Sequence, residues 1–177
     1  MEHNSIHIKS QKSIYIKKII HQTMADGPGL RISIYCTGCY HKCKGCHNPQ
    51  TWDMLGGELT DVDSLLNEIK LDTYSSGVTF TGGDPLYQVE AFTELAKLIK
   101  KETDKDIWLY TGFQMSKILN DPKLSQILKY VDFVVDGPYV EDLRDTDLKF
   151  RGSSNQSIYK VIDGEPVLDY EYMCSKY

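Results

Sequence analysis

Apolar positions along the chain change period several times, and each change marks an element. Residues 13–20 (SIYIKKII) are rich in β-branched side chains and predict a first, peripheral strand. Asp26-Gly27-Pro28-Gly29 is a dense turn signal, and residues 30–36 (LRISIYC) then alternate as a strand does. Residues 61–71 carry Val62, Leu65, Leu66 and Ile69 at helical spacing. Gly77 to Thr81 is a short apolar strand that ends in Gly82-Gly83. Residues 88–101 place Val89, Phe92, Leu95, Ala96, Leu98 and Ile99 on one helical face. Residues 106–110 (DIWLY) predict a strand closed by Thr111-Gly112. Residues 114–130 predict one or two helical pieces, broken at Asp121-Pro122. Residues 130–135 (YVDFVV) predict a strand closed by Asp136-Gly137-Pro138, and residues 157–162 (SIYKVI) a last one.

Strand followed by helix, repeated, predicts a mostly parallel α/β sheet. About five or six strands are too few for a closed (β/α)₈ barrel, which takes about 250 residues. The sheet is therefore an open doubly wound one or a partial barrel. The expected division is a disordered extension over residues 1–12, a single domain over 13–165 and a C-terminal tail over 166–177. The strongest turn signals, Thr81-Gly82-Gly83-Asp84-Pro85, Thr111-Gly112 and Asp136-Gly137-Pro138, follow strand C-termini. Ligands bind at that edge of a parallel sheet. A cysteine-rich loop after Cys36 joins them there, so four segments are expected on one face.

Length and charge narrow the partners. A chain of 177 residues is one domain's worth. A net charge of −5 argues against broad binding to nucleic acid or to an anionic membrane surface. The N-terminal residues carry no apolar core of signal-peptide length, and no window approaches the ~18 apolar residues of a membrane span. A cytoplasmic setting is expected. In a reducing compartment, clustered cysteines are metal ligands more often than disulfides.

Four of the five cysteines, Cys36, Cys39, Cys43 and Cys46, fall within one short loop, and Cys174 stands apart. Cys36/Cys39 and Cys43/Cys46 form two C-x₂-C pairs, the unit of a zinc site, but zinc ribbons separate such pairs by roughly 15–20 residues. A ferredoxin-type run would read C-x₂-C-x₂-C, which this loop does not match. The third division takes Cys39, Cys43 and Cys46 as C-x₃-C-x₂-C. Three thiolates then hold three irons of a cubane, and the fourth iron stays open, as in catalytic metal sites. On that division Cys36 is a small buried apolar residue ending a strand. His41 and His47 shape the loop or meet a ligand.

The C-x₃-C-x₂-C spacing resembles the signature of the radical S-adenosylmethionine superfamily. Thr81-Gly82-Gly83-Asp84-Pro85 resembles its glycine-rich motif, which holds the amino group of the cofactor's methionine moiety. A bound ammonium needs close carbonyl oxygens, and glycine leaves them room. Asp26-Gly27-Pro28-Gly29-Leu30-Arg31 and His47-Asn48-Pro49-Gln50-Thr51-Trp52-Asp53 look like glycyl-radical activating enzymes. Arg151-Gly152-Ser153-Ser154-Asn155-Gln156, residues 107–112 (IWLYTG) and Val135-Asp136-Gly137 look like the branch that activates anaerobic ribonucleoside-triphosphate reductases. The resemblance runs over residues 14–160.

That resemblance implies a partial parallel β/α barrel, one 4Fe-4S cluster on Cys39, Cys43 and Cys46 as catalytic and metal-binding residues, and S-adenosylmethionine as cofactor. It implies reductive cleavage of that cofactor, the 5′-deoxyadenosyl radical taking a hydrogen from a glycine of the reductase. The implied partners are the reductase's large subunit and an external one-electron donor such as reduced flavodoxin. The cofactor set it implies is Tyr40, Gly82, Gly83, Asp84, Thr111, Asp136, Ser153 and Asn155. Asp136 also reads as a turn residue before Gly-Pro. Arg151, Ser153 and Asn155 equally fit a partner contact or a turn cap, Arg31 a strand-end charge or partner contact, and Trp52 and Trp108 packing. Two rivals stay open: an activator of another glycyl-radical enzyme or small-molecule radical enzyme, and a non-catalytic zinc or iron–sulfur module.

Overall fold

The structure, a computed structural model, describes residues 12–177, so the expectation for the N-terminal extension lies outside the described residues except at Lys12. The strands are β1 (Ser13–Thr23), β2 (Arg31–Cys36), β3 (Glu58–Asp61), β4 (Gly77–Gly82), β5 (Asp106–Tyr110), β6 (Phe133–Asp136), β7 (Ser157–Ile162) and β8 (Glu165–Leu168). They form one eight-stranded sheet in the order β3-β1-β2-β4-β5-β6-β7-β8. The pairings β2–β4, β4–β5 and β5–β6 are parallel, and the four outer pairings are antiparallel. The α/β class therefore holds, with the parallel part confined to the middle of a wider, mixed sheet. β1 is not peripheral, because β3 pairs along its outer side from Ser13↔Asp61 to Ile16↔Glu58.

Helices lie in the crossovers between the parallel strands, Val62–Leu71 between β2 and β4 and Val89–Glu102 between β4 and β5. α1 (Val62–Leu71) starts at Asp61, whose carboxylate accepts from Ser64 N, and buries Val62, Leu65, Leu66 and Ile69. α2 (Val89–Glu102) carries Glu90 in its first turn and Lys100 and Lys101 in its last, which suits the helix dipole. Residues 114–130 fold as α3 (Met115–Leu119), α4 (Pro122–Ser125) and a 3₁₀ turn, broken at Asp121-Pro122 as expected. Among the described residues no helix is long and apolar enough to cross a membrane.

The two faces of the sheet differ because side chains alternate along each strand. Ile32, Ile34, Val78, Phe80, Ile107 and Leu109 face the helices and form the main core. Burying side chains of this size contributes about 1.5–3 kcal/mol each. The opposite face carries Arg31, Thr79 and Trp108. Arg31 is fully buried there, donating to Thr79 Oγ1 at 2.8 Å and Val78 O at 2.9 Å and pairing with Asp106. Its guanidinium also lies 5.7 Å from the Trp108 ring. Of the two readings open for Arg31, neither a solvated charge nor a partner contact describes this burial. Residues 165–177 return to the same face: β8 pairs with β7, and α5 (Tyr170–Cys174) brings Tyr172 edge-on to Trp108 at 5.3 Å.

Candidate functional site

The cysteine loop leaves the sheet where β2 ends. Cys36 pairs in register with Gly82, and its side chain belongs to the main apolar core. Burial pushes its thiol well above the ordinary range. It is thereby removed from any four-thiolate site. Beyond it the chain folds against its own return segment: Gly38 N donates to Thr51 O at 2.8 Å and Cys39 N to Trp52 O at 3.1 Å. The loop tip turns through Cys46 N to Cys43 O at 3.1 Å, with Gly45 at φ +72, a backbone region that disfavours other residues.

The glycine turn after β4 clasps this loop from beneath. Gly83 N donates to Cys36 O at 2.8 Å, and Asp84 N to Gly38 O at 2.9 Å. A side chain at Gly83 would place its Cβ 2.7 Å from Gly38 O and 3.0 Å from Thr51 O. Only glycine permits that approach. Asp84 is buried, and its carboxylate accepts from Leu86 N, Thr111 Oγ1 and Gly112 N at 2.9–3.0 Å. It also lies 2.9 Å from His41 Nε2. One carboxylate thus joins the cysteine loop to the ends of β4 and β5. His41 shapes the loop, as one of the two readings for it expected.

Above this frame lies a cavity of about 220 Å³ lined by Cys39, Cys43 and Cys46 together with Gly82, Gly83 and Thr111. The four segments expected on one face do converge there, since Gly112, Gly137, Gly152 and Gln156 complete the lining. Burial pushes the Cys39 thiol up to about 11 and raises Cys43 as well. Among the described residues no group of three or more His, Cys, Asp or Glu side chains could hold a single metal ion. Three thiols around one cavity, wider than a mononuclear site and without a fourth thiol, suit a cluster that keeps one iron open. The residues present fit that group.

Five of the sequence-derived cofactor residues stand elsewhere. Tyr40 is largely exposed and packs edge-on against Tyr87 at 5.1 Å. Asp84 is occupied as described. Asp136 accepts from Met115 N at 2.6 Å and Ser157 N at 3.2 Å, which matches the turn reading, and burial raises its carboxyl. Ser153 Oγ accepts from Val140 N at 3.2 Å, and Asn155 donates to Pro138 O at 2.8 Å. These side chains brace the turns around the cavity instead of lining it. Asp26, Tyr110 and Gln156, outside the expected cofactor set, line it as well, as does His47, which was expected to shape the loop or meet a ligand. Asp26 accepts from Tyr35 OH at 2.7 Å, and its backbone oxygen accepts from Thr79 Oγ1 at 2.8 Å. The turn signal at Asp26 was visible in sequence. That Asp26 lines the same cavity as the cysteines was not.

Residues 25–159 match a family described as "4Fe-4S single cluster domain". The chain is 40% identical over 144 residues to the anaerobic ribonucleoside-triphosphate reductase-activating protein of Enterobacteria phage T4, covering 78% of this chain and 89% of that one. It is 35% identical over 145 residues to the protein of the same name from Vibrio cholerae serotype O1, covering 77% and 92%. The crystal structure of QueE from Escherichia coli is similar at a TM-score of 0.48 and 20% identity, over 56% of this chain and 52% of that one, too low to bear on fold or function.

Proposed function

The chain belongs to the family of anaerobic ribonucleoside-triphosphate reductase-activating proteins, and from that premise we propose that it installs a glycyl radical in such a reductase. Cys39, Cys43 and Cys46 hold one 4Fe-4S cluster, and S-adenosylmethionine occupies the cavity above Gly82 and Gly83. When bound, these groups supply reductive cleavage of a carbon–sulfur bond, with an electron from an external donor such as reduced flavodoxin, and abstraction of a glycine hydrogen atom. The sheet acts as an incomplete β/α barrel, with the site at the C-terminal edge of its parallel strands.

The chain's own residues orient and shield. Gly82 and Gly83 line the cavity with main chain alone, and a ligand ammonium would need carbonyl oxygens of that kind. Asp84 keeps the cysteine loop and the Thr111 turn in fixed relation through the hydrogen bonds given above. Tyr110 and Tyr139 close the cavity laterally. Burial raises the Tyr110 phenol.

One observation carries the reading: three thiols and the double-glycine turn share one cavity, while the fourth thiol of the loop is locked in the core. Anaerobic reconstitution tests it. The expected result is roughly four irons per chain, release of 5′-deoxyadenosine under reduction, and a glycyl radical in the reductase. One zinc per chain without cleavage would sink the proposal. Radical formation only in a different glycyl-radical enzyme would redirect it.

A further inference from the structure

Beside the cysteine-lined cavity lies a second one of about 300 Å³. The two share Asp26, His47, Tyr110 and Gly152, so they adjoin. The far side of the second cavity is built by residues 144–152 and by Tyr177. Resting on the functional reading above, we propose that the C-terminal segment, residues 169–177, is a positioning strap that shapes this cavity into a subsite for an extended polypeptide segment, the one that carries the target glycine.

The chemistry of the wall selects the ligand class. It presents carboxylates from Asp26 and Asp145 together with the Arg144 guanidinium and the His47 imidazole. An extended peptide offers N–H donors and carbonyl acceptors along its length, and so matches a wall holding both kinds of partner. Two carboxylates balanced by Arg144 and Arg151 favour neither an anionic nor a cationic ligand over a neutral segment with both donors and acceptors. Phe150, Leu148 and the Tyr177 ring add apolar surface for side chains of the segment.

The strap holds the wall at several points. Asp169 caps α5 by accepting from Tyr172 N at 3.0 Å, and Tyr172 wedges edge-on against Trp108 and Phe150 at 5.3 and 5.7 Å. Arg151 donates to Met173 O at 2.8 Å and to Gln156 O at 3.0 Å. Tyr177 N donates to Asp147 O at 2.9 Å, and Leu148 bridges to Lys176. Gln156 extends the tie to the cysteine side, accepting from Gly152 N at 2.9 Å and donating to Gly137 O at 2.9 Å. A shift of the strap therefore reaches the second cavity and the Gly137–Gly152 side of the first, away from the cysteine loop. Arg151 is a positioning residue within it, and the exposed Tyr177 ring meets the incoming segment.

The test uses the reconstituted full chain and a fluorescent peptide spanning the reductase's glycine, read by anisotropy, with glycyl-radical yield against reductase concentration measured in parallel. Tyr177→Ala is expected to weaken peptide binding about tenfold and to raise the half-saturating reductase concentration equally, with the limiting yield changed less than about twofold. Tyr177→Phe is expected to bind as the parent does, because the ring and not the hydroxyl makes the wall. Arg151→Met is expected to weaken binding at unchanged iron content, and circular dichroism reports whether it remains folded. Peptide binding that is undetectable in the parent, or equal in parent and Tyr177→Ala, overturns the proposal. Strap-dependent peptide binding without radical formation would leave the subsite standing and overturn the functional reading instead.

Discussion

The two walls of the paired cavities are held by different means. The cysteine wall rests largely on backbone: Gly38, Cys39, Gly83 and Asp84 donate main-chain hydrogen bonds to Thr51, Trp52, Cys36 and Gly38, and at Gly83 the approach leaves no room for a Cβ. The opposite wall rests on side chains: Arg151, Gln156, Tyr172 and Tyr177 reach across gaps to carbonyls and rings. The first arrangement is rigid and intolerant of any added atom. The second can be trimmed by degrees. This suits a wall that holds a cluster at fixed spacing and a facing wall that meets a partner.

Four experiments bear on that contrast, from the largest expected effect downward. Cys43→Ala removes one of three thiols around the cavity and is expected to abolish cofactor cleavage by on the order of a hundredfold or more, with iron content falling in the same samples. Gly83→Ala forces a methyl between two carbonyls. It is expected to cost about 1–3 kcal/mol of stability, read by thermal melting of the iron-free chain, and to lower iron uptake as well. Normal melting and normal uptake would break the claim that the cysteine wall is close-packed. Gln156→Ala cuts the tie to Gly137 and Gly152. Its expected cost is about 1–2 kcal/mol, with iron uptake preserved, because the cysteine wall does not depend on it. Loss of iron in this variant would mean that the walls are one unit.

The smallest effect lies away from both walls and sets their baseline. His21 sits between Asp72 at 3.0 Å and Glu68 at 2.8 Å, and the Asp72 hydrogen bond raises its pKa. That contribution is whole below about pH 6.5, the unfolded value, and is lost as pH rises through the higher folded value. Burial pushes the Asp72 carboxyl up, but hydrogen bonds from His21 and Ser75 outweigh it and hold it at about 2. Its contribution is therefore lost only as pH falls from about 4 toward the folded value. Of this pair, His21 is the one that titrates near neutrality. The melting temperature of the iron-free chain should drop slightly between about pH 6 and pH 8, by well under about 1 kcal/mol in stability because the imidazole is partly exposed. In His21→Gln that slope should flatten.

The long periodic elements were legible. α1 and α2 carry enough apolar side chains at one spacing that no other conformation buries them, and β2, β4 and β5 follow runs of β-branched and aromatic residues. β3, β8 and α5 were not, because Glu58–Asp61 and Glu165–Leu168 are short and half polar, and they become strands only by pairing with a neighbour already in place. The three cysteines and the two glycines, picked out by their spacing, do line one cavity. Asp84, Asp136, Ser153 and Asn155 were assigned to the cofactor, yet their side chains turn to backbone partners. A polar residue at a turn can face a ligand or brace the turn, and its identity is the same in either role.

The sequence by itself carried the C-x₃-C-x₂-C spacing of the loop, the strand-and-helix alternation and the glycine turns at the strand ends, since each is a matter of local spacing. Tertiary structure alone decided that Asp26 and Tyr110 line the cavity and that residues 169–177 reach back to wall a second one, while the burial expected of Cys36 is what the core shows. The physical reason is that spacing along a chain is a local constraint, whereas facing direction depends on sheet register and on which distant segment covers each face.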